Sequence, residues 1–363
     1  MDRQILFSVN LKKARLAQKQ TQKELGEALG FSEKTVSKWE CGVAMPDIDT
    51  LFSLCDQLKL GIGELFADEQ QYYLGIDGGG TKTVMVLADG EGKTLRTLKT
   101  EACNPVDLGI ESAKQILKNG IFEICSGIPM SQITLFAGIA GGTSGDMKPR
   151  LAEFFGGFGF RDFRNDSDNL NIIAAGLGNR NGITVILGTG FCVYTQIDGR
   201  YRRIGGWGYL IDEGGSGYNF GRDALHAYFS AFDGSGEDTL LVEEIDRIYP
   251  GGPNALVSYI YANGKKAVAS FAMAVFSACR RGDKVAQRIL QRNIREVTRI
   301  IGVAAADFPD GVIPVVFAGG LTNEELVISE LKKELIPERY QMERLQCEPV
   351  SGAVMLARNG RNE

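Results

Sequence analysis

The sequence predicts two fold classes in one chain, an all-α head at the N-terminus followed by a duplicated α/β fold with two lobes. The head is predicted from short amphipathic segments, each with its own helix start signal. The α/β part is predicted because one order of strands and helices occurs twice, each time after a strand that runs into a glycine-threonine turn. We expect domains at residues 1–67, 72–178 and 179–348.

Size and composition exclude several classes of protein. A chain of 363 residues with 44% hydrophobic residues exceeds one core and can bury two or three. The longest mostly apolar stretch, Ala267 to Cys279, is shorter than the roughly 20 residues that span a bilayer. Seven cysteines without a C-x-x-C pair favour a reducing compartment, and the single histidine, His226, argues against histidine triads and zinc clusters. We expect a cytoplasmic protein without membrane segment or secretory signal.

Charge is unevenly distributed along the chain. The net charge is −5, but residues 1–39 carry eight Lys/Arg against four Asp/Glu, a local balance of +4. Phosphate backbones attract clustered positive charge. Any part of the chain that faces nucleic acid is therefore expected at the N-terminus.

The head contains four short segments with apolar residues at helical spacing, and most of them begin with a helix start signal. Thr21 with Glu24 forms a capping box, Ser32 is placed to cap the next helix, and Asp47 follows Pro46 at the start of a fourth. The apolar residues at helical spacing are Leu11, Leu16, Leu25, Leu29, Val36, Trp39, Leu51, Leu54, Cys55 and Leu58. The short connection at Gly30 predicts that helices two and three cross steeply, as in a helix-turn-helix.

The segment from Thr21 to Gly42 resembles the Cro/C1-type (XRE) helix-turn-helix family, and the likeness extends from Leu11 to Phe66. It implies binding to double-stranded DNA, with Gln22 on phosphate and with four residues on base edges. Those four are Ser32, Glu33, Lys34 and Lys38. One module buries little DNA surface, so we expect a homodimer. A helical protein-interaction module is the alternative.

The α/β part begins at Tyr72. Strands are predicted at 72–77, 83–88, 94–100, 133–137, 183–187, 192–197, 201–204 and 313–317. Helices are predicted at 107–119, at 146–155, from about 168, between the strands at 201–204 and 313–317, and after the last strand. The repeated order indicates a duplicated fold with a cleft between its halves.

Three glycine turns follow strands and predict a nucleotide site in that cleft. Glycines let backbone amides approach phosphate oxygens, and threonines add hydroxyl donors. The expected ATP phosphate contacts are Gly78, Gly79, Gly80, Thr81, Lys82, Thr83, Gly188, Thr189 and Gly190. Gly319 and Gly320 are expected beside the adenosine, and Asp77 is expected to orient Mg²⁺-bound water. A single such turn could also be a plain hairpin turn.

The motifs Asp-Gly-Gly-Gly-Thr-Lys-Thr, Gly-Thr-Gly, Gly-Gly-Trp-Gly-Tyr and Ala-Gly-Gly, in this order, resemble the actin/Hsp70/sugar-kinase superfamily. Within it the chain is most similar to the BadF/BadG/BcrA/BcrD ATPase family and its N-acetylglucosamine kinases, from about Tyr72 to Arg358. The resemblance implies a ribonuclease H-like two-lobed fold and ATP-dependent phosphorylation of N-acetylglucosamine or a related amino sugar. It also implies that a final helix at 349–360 folds back onto the first lobe.

A sugar hydroxyl needs a base to take its proton during phosphoryl transfer. Asp166 and Asp168 are the two candidates, and either could instead cap the helix that starts there. Asp168 lies 21 residues before Thr189, close to the spacing in the family. We expect Asp168 to be the catalytic base.

The sugar is expected to contact Asn104, which follows the third strand, and Trp207, Asp212 and Glu213. The chain departs here from the pattern of the family. Counting from Trp207 puts Glu213 rather than Asp212 at the usual sugar-binding acid, and Phe191 replaces a common serine. The turn at residues 141–144 could line the same cleft or be a plain helix start. These departures leave the identity of the sugar open.

The sequence allows three functions. The first is a sugar kinase with its own DNA-binding head, acting as a sugar-responsive transcriptional regulator in which sugar-driven lobe closure changes the spacing of paired heads. The second is a regulator that senses sugar or nucleotide without catalysis. The third is an activating ATPase for a radical dehydratase, which needs a cysteine-bound cluster for which Cys192 is the one candidate near a phosphate loop. Repressors of the ROK class carry a histidine-cysteine zinc site that this composition does not favour.

Overall fold

The computed structural model describes residues 3–66 and 70–360. It divides into two compact units, Met1–Gln71 and Tyr72–Glu363, which are taken separately below. Within the described ranges, no helix is both long enough and apolar enough to cross a membrane.

The N-terminal unit is all helical. Its helices are α1 (Arg3–Ala17), α2 (Gln22–Leu29), α3 (Glu33–Glu40), α4 (Ile48–Leu58) and α5 (Ile62–Leu65). The predicted caps are present: Thr21 and Glu24 form the capping box, and the Ser32 and Asp47 side chains accept from the third backbone N–H of their helices. Gly30 ends α2 in a left-handed conformation with φ of 75°. The prediction of a helix-turn-helix is confirmed.

A small core joins these helices, with Phe7, Leu25, Val36 and Leu54 fully buried. One predicted apolar position is wrong, because Leu16 is 55% exposed. Leu16 lies about 140° around the helix from the buried Leu11, so it points away from the core.

The second unit contains two five-stranded sheets of the same topology. The strands of the first are β1 (Tyr72–Gly78), β2 (Thr83–Ala88), β3 (Thr94–Thr100), β4 (Ile133–Ile139) and β5 (Asp162–Asp166). Those of the second are β6 (Gly182–Leu187), β7 (Phe191–Ile197), β8 (Arg200–Ile204), β9 (Ile313–Ala318) and β10 (Tyr340–Arg344). The strand orders are β3-β2-β1-β4-β5 and β10-β9-β6-β7-β8.

The pairing pattern is also duplicated. In each sheet the first three strands pair antiparallel as a meander, and the last two run parallel to the first. Each sheet has its own buried core, built around Leu74 and Ile76 in the first lobe and around Val185 and Phe317 in the second. This arrangement confirms the predicted two-lobed fold class.

Helices connect and cover the strands. They are α6 (Pro105–Leu108), α7 (Ile110–Ile124), α8 (Met147–Gly156), α9 (Asn169–Leu177), α10 (Gly217–Phe232), α11 (Leu241–Ile248), α12 (Gly252–Ser270), α13 (Ala272–Arg280), α14 (Lys284–Ala305), α15 (Glu325–Glu334) and α16 (Pro349–Arg358). Two 3₁₀ turns occur at Met130–Gln132 and Gly320–Asn323. The last helix, α16, lies on the first sheet, where a Cβ on Gly75 would come within 2.6 Å of the Val354 nitrogen.

Two strands and one helix boundary differ from the sequence predictions. The strands β5 and β10 were not predicted, because each is an edge strand of only five residues and β5 is mostly polar. The helix predicted at 107–119 is interrupted at Gly109, whose φ of 79° separates α6 from α7. Asp107 therefore belongs to the short α6, and α7 continues to Ile124.

Candidate active site

Asp77 lies at the carboxyl end of β1, where the first glycine turn begins. Its Oδ1 accepts a 2.7 Å hydrogen bond from Nδ2 of Asn171 in α9. Burial raises the pKa of Asp77 to about 6, and the nearby charge of Asp168 adds to the shift while the Asn171 hydrogen bond opposes it. A neighbouring cation would therefore be stabilising at this carboxylate.

Asp168 immediately precedes α9 but does not cap it through its side chain. Its Oδ1 accepts from the Ser167 hydroxyl at 3.2 Å, and the Ser167 oxygen in turn accepts from the Asn169 backbone N–H at 3.3 Å. Burial raises the pKa of Asp168, which the Ser167 hydrogen bond partly counters. The carboxylate is thus placed beside Asp77 rather than used as a helix cap.

Asp166, the other candidate base, is bound differently. Its carboxylate pairs with the Lys148 ammonium and accepts the Ser167 backbone N–H at 2.8 Å. Both it and Lys148 line a cavity of about 970 Å³ together with residues of β5, the β7–β8 turn and α16. The Asp166 carboxylate is already engaged by Lys148 and the Ser167 backbone, which favours Asp168 as the base.

The three glycine turns have distinct internal hydrogen bonds. Gly79 N donates to Lys82 O at 3.0 Å in the first, and Gly188 N donates to Gly190 O at 2.9 Å in the second. The third turn lies against the end of β6, because a Cβ on Gly319 would overlap the Leu187 carbonyl. Since β6 leads directly into the second turn, the second and third turns are neighbours.

A cavity of about 300 Å³ opens beside the first turn. Its lining comes from both lobes: Gly80, Ala102, Asn104, Asp107, Leu108, Asn263, Lys265 and Lys266. The Asn104 side chain is engaged locally, with Oδ1 accepting from Val106 N at 3.0 Å and Nδ2 donating to Asp107 Oδ2 at 2.8 Å. The predicted sugar contact Asn104 therefore lies next to the predicted phosphate turn, across from α12.

The loop between β8 and α10 carries the other predicted sugar contacts. Trp207 is 64% exposed, and the Arg203 guanidinium lies 4.1 Å from its ring centroid. The Asp212 carboxylate accepts the backbone N–H groups of Trp207 and Gly208 at 3.1 and 2.9 Å, which holds the loop in a tight turn.

Asp212 and Glu213 face different surroundings. Burial raises the pKa of the Cys192 thiol to about 12, and the charges of Asp168 and Asp212 add to that shift. Glu213 instead lines a cavity of about 520 Å³ with Gly214, Arg222, Arg292, Arg295, Glu296 and Arg299. The position count favoured Glu213 as the sugar-binding acid. In the structure, Asp212 is the acid whose carboxylate binds the backbone of Trp207 and Gly208.

The surroundings of Cys192 also bear on the dehydratase-activase alternative. Its side chain is buried, and the raised pKa keeps the thiol protonated. A cluster ligand shared between subunits must be an accessible thiolate. The position of Cys192 therefore does not fit that role.

The donor set at Asp77 suits Mg²⁺. This ion is commonly held by one or two carboxylates together with substrate phosphates and water. Asp77 supplies one such carboxylate at the start of the first glycine turn, and burial together with the charge of Asp168 raises its pKa. The residues present thus fit the metal that a phosphotransferase requires.

Two residues of the site were not predicted from the sequence. Asn171 is fully buried and its amide joins Asp77, the Ile76 carbonyl and the Gly138 carbonyl. The sequence could have indicated Asn171, because it lies three residues after Asp168 and the two therefore share one face of a helix. Lys266 donates to the Gly80 carbonyl at 3.4 Å. The feature of the sequence that could have pointed to Lys266 is Gly264, a glycine within a helical stretch just before it.

In the N-terminal unit, Ser32, Glu33, Lys34 and Lys38 are all exposed. The Ser32 hydroxyl is also the cap of α3. Gln22 donates to Glu40 Oε2 at 2.7 Å, and Glu40 forms a buried ion pair with Arg15. A phosphate contact by Gln22 would therefore use its remaining N–H.

Comparison with known proteins gives two family matches. Residues 74–357 match the model of the BadF/BadG/BcrA/BcrD ATPase family, and residues 11–65 match a helix-turn-helix model. An N-acetylmuramic acid/N-acetylglucosamine kinase of Clostridium acetobutylicum is 31% identical over 304 residues, 80% of this chain and 99% of the relative. An N-acetyl-D-glucosamine kinase of Dictyostelium discoideum is 26% identical over 321 residues, with 80% and 99% coverage.

A solved structure shows the same fold. The crystal structure of a candidate N-acetylglucosamine kinase from Chromobacterium violaceum covers 80% of this chain and 100% of its own, at 24% identity and a TM-score of 0.66.

Proposed function

We propose that this chain, which belongs to the BadF/BadG/BcrA/BcrD ATPase family, is an ATP-dependent sugar kinase joined to a DNA-binding head. The observation that carries the proposal is the pair of half-buried, interacting carboxylates of Asp77, at the start of the first glycine turn, and Asp168, at the start of α9. The names of the two relatives make N-acetylglucosamine, or an N-acetylated amino sugar related to it, the expected acceptor.

The proposed reaction is a direct transfer of the γ-phosphoryl group. Asp168 accepts the proton of the sugar hydroxyl while the hydroxyl oxygen forms a bond to the γ-phosphorus. The bond from that phosphorus to the oxygen that bridges the β- and γ-phosphates breaks, and ADP leaves with the electron pair. A carboxylate whose pKa is raised by burial is a better base than an exposed one.

The remaining residues bind and position. The first and second glycine turns hold the phosphates, the first through Gly80 and the second through Thr189 and Gly190, with Thr81 and Lys82 adding donors. Asp77, with Asp168 nearby, would hold Mg²⁺, which neutralises charge on the phosphates. Gly319 and Gly320 flank the adenosine. Asn104, Trp207 and Asp212 hold the sugar.

The head makes a regulatory role part of the proposal. We infer that two chains pair on double-stranded DNA through the exposed face of α3 and that bound sugar changes DNA affinity. A regulator that binds sugar or nucleotide without turnover is the competing function, since the helix-turn-helix alone does not require catalysis.

A substrate screen tests the proposal. The full-length chain is incubated with Mg²⁺-ATP and a panel of hexoses, N-acetylhexosamines and N-acetylmuramic acid, and ADP release is followed. We expect turnover with at least one N-acetylated sugar. Sugars that raise the melting temperature without any ADP release would instead identify a sensor. A gel-shift titration in which no sugar changes DNA affinity would contradict the regulatory part.

A further inference from the structure

We propose that Lys266 binds the γ-phosphate of ATP from the opposite side of the cleft, an assignment that rests on the proposed kinase function. Lys266 belongs to α12 in the second lobe, yet its ammonium donates to the Gly80 carbonyl of the first lobe at 3.4 Å. Gly80 lies in the middle of the turn assigned to the ATP phosphates. The contact joins the two lobes where the phosphates are expected.

The same helix also lies beside the second glycine turn. Gly217, at the start of α10, donates its backbone N–H to the Gly188 carbonyl at 2.8 Å. A Cβ on Gly217 would lie 3.7 Å from the Cβ of Ala269, which is three residues after Lys266 in α12. Lys266 therefore lies about one helical turn from a residue that packs against the second turn, while its ammonium contacts the first.

A break in α12 places this lysine. Gly264 has φ of 59° and ψ of −145°, a conformation that lies outside the helical region and that residues with a Cβ rarely adopt. A Cβ at this position would meet open space, so the requirement for glycine is one of backbone conformation and not of packing. The helix changes direction immediately before Lys265 and Lys266.

The chemistry of the contact suggests an exchangeable partner. A peptide carbonyl is a neutral acceptor, and 3.4 Å is long for a lysine hydrogen bond. A phosphate oxygen carries charge and forms a shorter and stronger bond with an ammonium group. Asp107, the acid in the same cavity, already accepts from Asn104, so a phosphate is the stronger competitor for Lys266. Because ADP lacks the γ-phosphate, Lys266 is expected to distinguish ATP from ADP.

The test is a comparison of ATP and ADP binding by the full-length chain. Dissociation constants with Mg²⁺ are measured by calorimetry for the wild type and for Lys266→Met. We expect the wild type to bind ATP about tenfold or more tighter than ADP, as a charge-assisted contact provides. The variant should lose this preference with ADP affinity unchanged, and turnover should fall about 10²-fold.

Two further variants sharpen the result. Lys265→Met removes the same charge one residue from the contact and should keep the ATP preference. Gly264→Ala keeps the lysine but strains the break, and should lose part of the preference. An unaltered ATP-to-ADP ratio in Lys266→Met overturns the assignment. A wild type that phosphorylates no sugar, but whose ATP preference depends on Lys266, would contradict the kinase proposal alone.

Discussion

The carboxylate of Asp77 and the amide of Asn171 are joined by a 2.7 Å hydrogen bond, although the two residues come from β1 and from α9. The same Asn171 nitrogen approaches the carbonyls of Ile76 and Gly138, each at 3.3 Å. Those carbonyls belong to the two central strands of the first sheet, so one buried side chain fixes α9 and its preceding Asp168 relative to Asp77. The pair of carboxylates is thus positioned by Asn171.

The first prediction is a pH dependence of nucleotide binding. Burial raises the pKa of Asp77 from 3.8 to about 6, so its proton is retained in the folded chain between about pH 4 and pH 6. A protonated carboxyl does not hold Mg²⁺. The affinity for Mg²⁺-ATP, measured by calorimetry from pH 8 to pH 5, should fall as the pH drops through about 6, by up to about tenfold per pH unit.

Two variants control this prediction. Asp77→Asn should bind Mg²⁺-ATP weakly with little pH dependence, whereas Asn171→Leu removes a hydrogen bond that lowers the pKa and should move the midpoint to higher pH. The free energy of unfolding changes with pH in the opposite direction to the affinity. A raised pKa of Asp77 favours the folded state at low pH, and this contribution is lost as the pH rises through about 6. A dissociation constant that stays level from pH 8 to pH 5 would show that Asp77 does not hold the metal.

Particular residues show what the sequence could predict. Repeated strand-turn patterns predicted both lobes and three glycine turns, because buried strands and glycine turns leave a strong local signal. The edge strands β5 and β10 left too weak a signal, since each has only five residues and its pairing is determined by the sheet beside it. Asn171 and Lys266 were missed for a similar reason: their partners, Asp77 and Gly80, are far away in sequence and are brought near only by folding.

The second prediction compares two adjacent glycines of the third turn. Gly319 has φ of 98°, and a Cβ there would overlap the Leu187 carbonyl, so Gly319→Ala should lower the free energy of unfolding by about 1–3 kcal/mol. A Cβ on Gly320 would meet open space, and Gly320→Ala should leave stability nearly unchanged. Urea denaturation of both variants measures the difference. If adenosine passes this turn, Gly320→Ala should weaken ATP binding even though it leaves stability unchanged. Equal effects of the two substitutions on the free energy of unfolding would contradict the geometry of the turn.

The third prediction concerns the head. Lys34 and Lys38 are exposed on α3, where they are expected to reach base edges in a specific complex. On random-sequence DNA no base edge is read specifically, so each lysine instead neutralises phosphate charge and contributes about one unit to the slope of log affinity against log salt. Lys34→Ala and Lys38→Ala should each reduce that slope by about 1 on random-sequence duplex DNA, measured by fluorescence anisotropy. Lys93→Ala, in the turn between β2 and β3, removes the same charge elsewhere and should leave the slope unchanged. Absence of any salt-dependent DNA binding would favour a protein-interaction module.

The fourth prediction separates chemistry from binding at the two neighbouring aspartates. Asp168→Asn removes the proposed base and should reduce the turnover number about 10²- to 10⁴-fold. ATP binding should persist at neutral pH, because the charge of Asp168 raises the pKa of Asp77 and its removal leaves Asp77 more readily ionised. Asp166→Asn makes the same chemical change two residues away, at a carboxylate already paired with Lys148, and should retain turnover. The measurements are steady-state kinetics and ATP calorimetry on both variants.

Two outcomes would contradict the assignment of the base. Full turnover in Asp168→Asn with loss of turnover in Asp166→Asn would move the base to Asp166. Equal losses of ATP affinity and turnover in Asp168→Asn would assign Asp168 to metal binding instead of proton transfer.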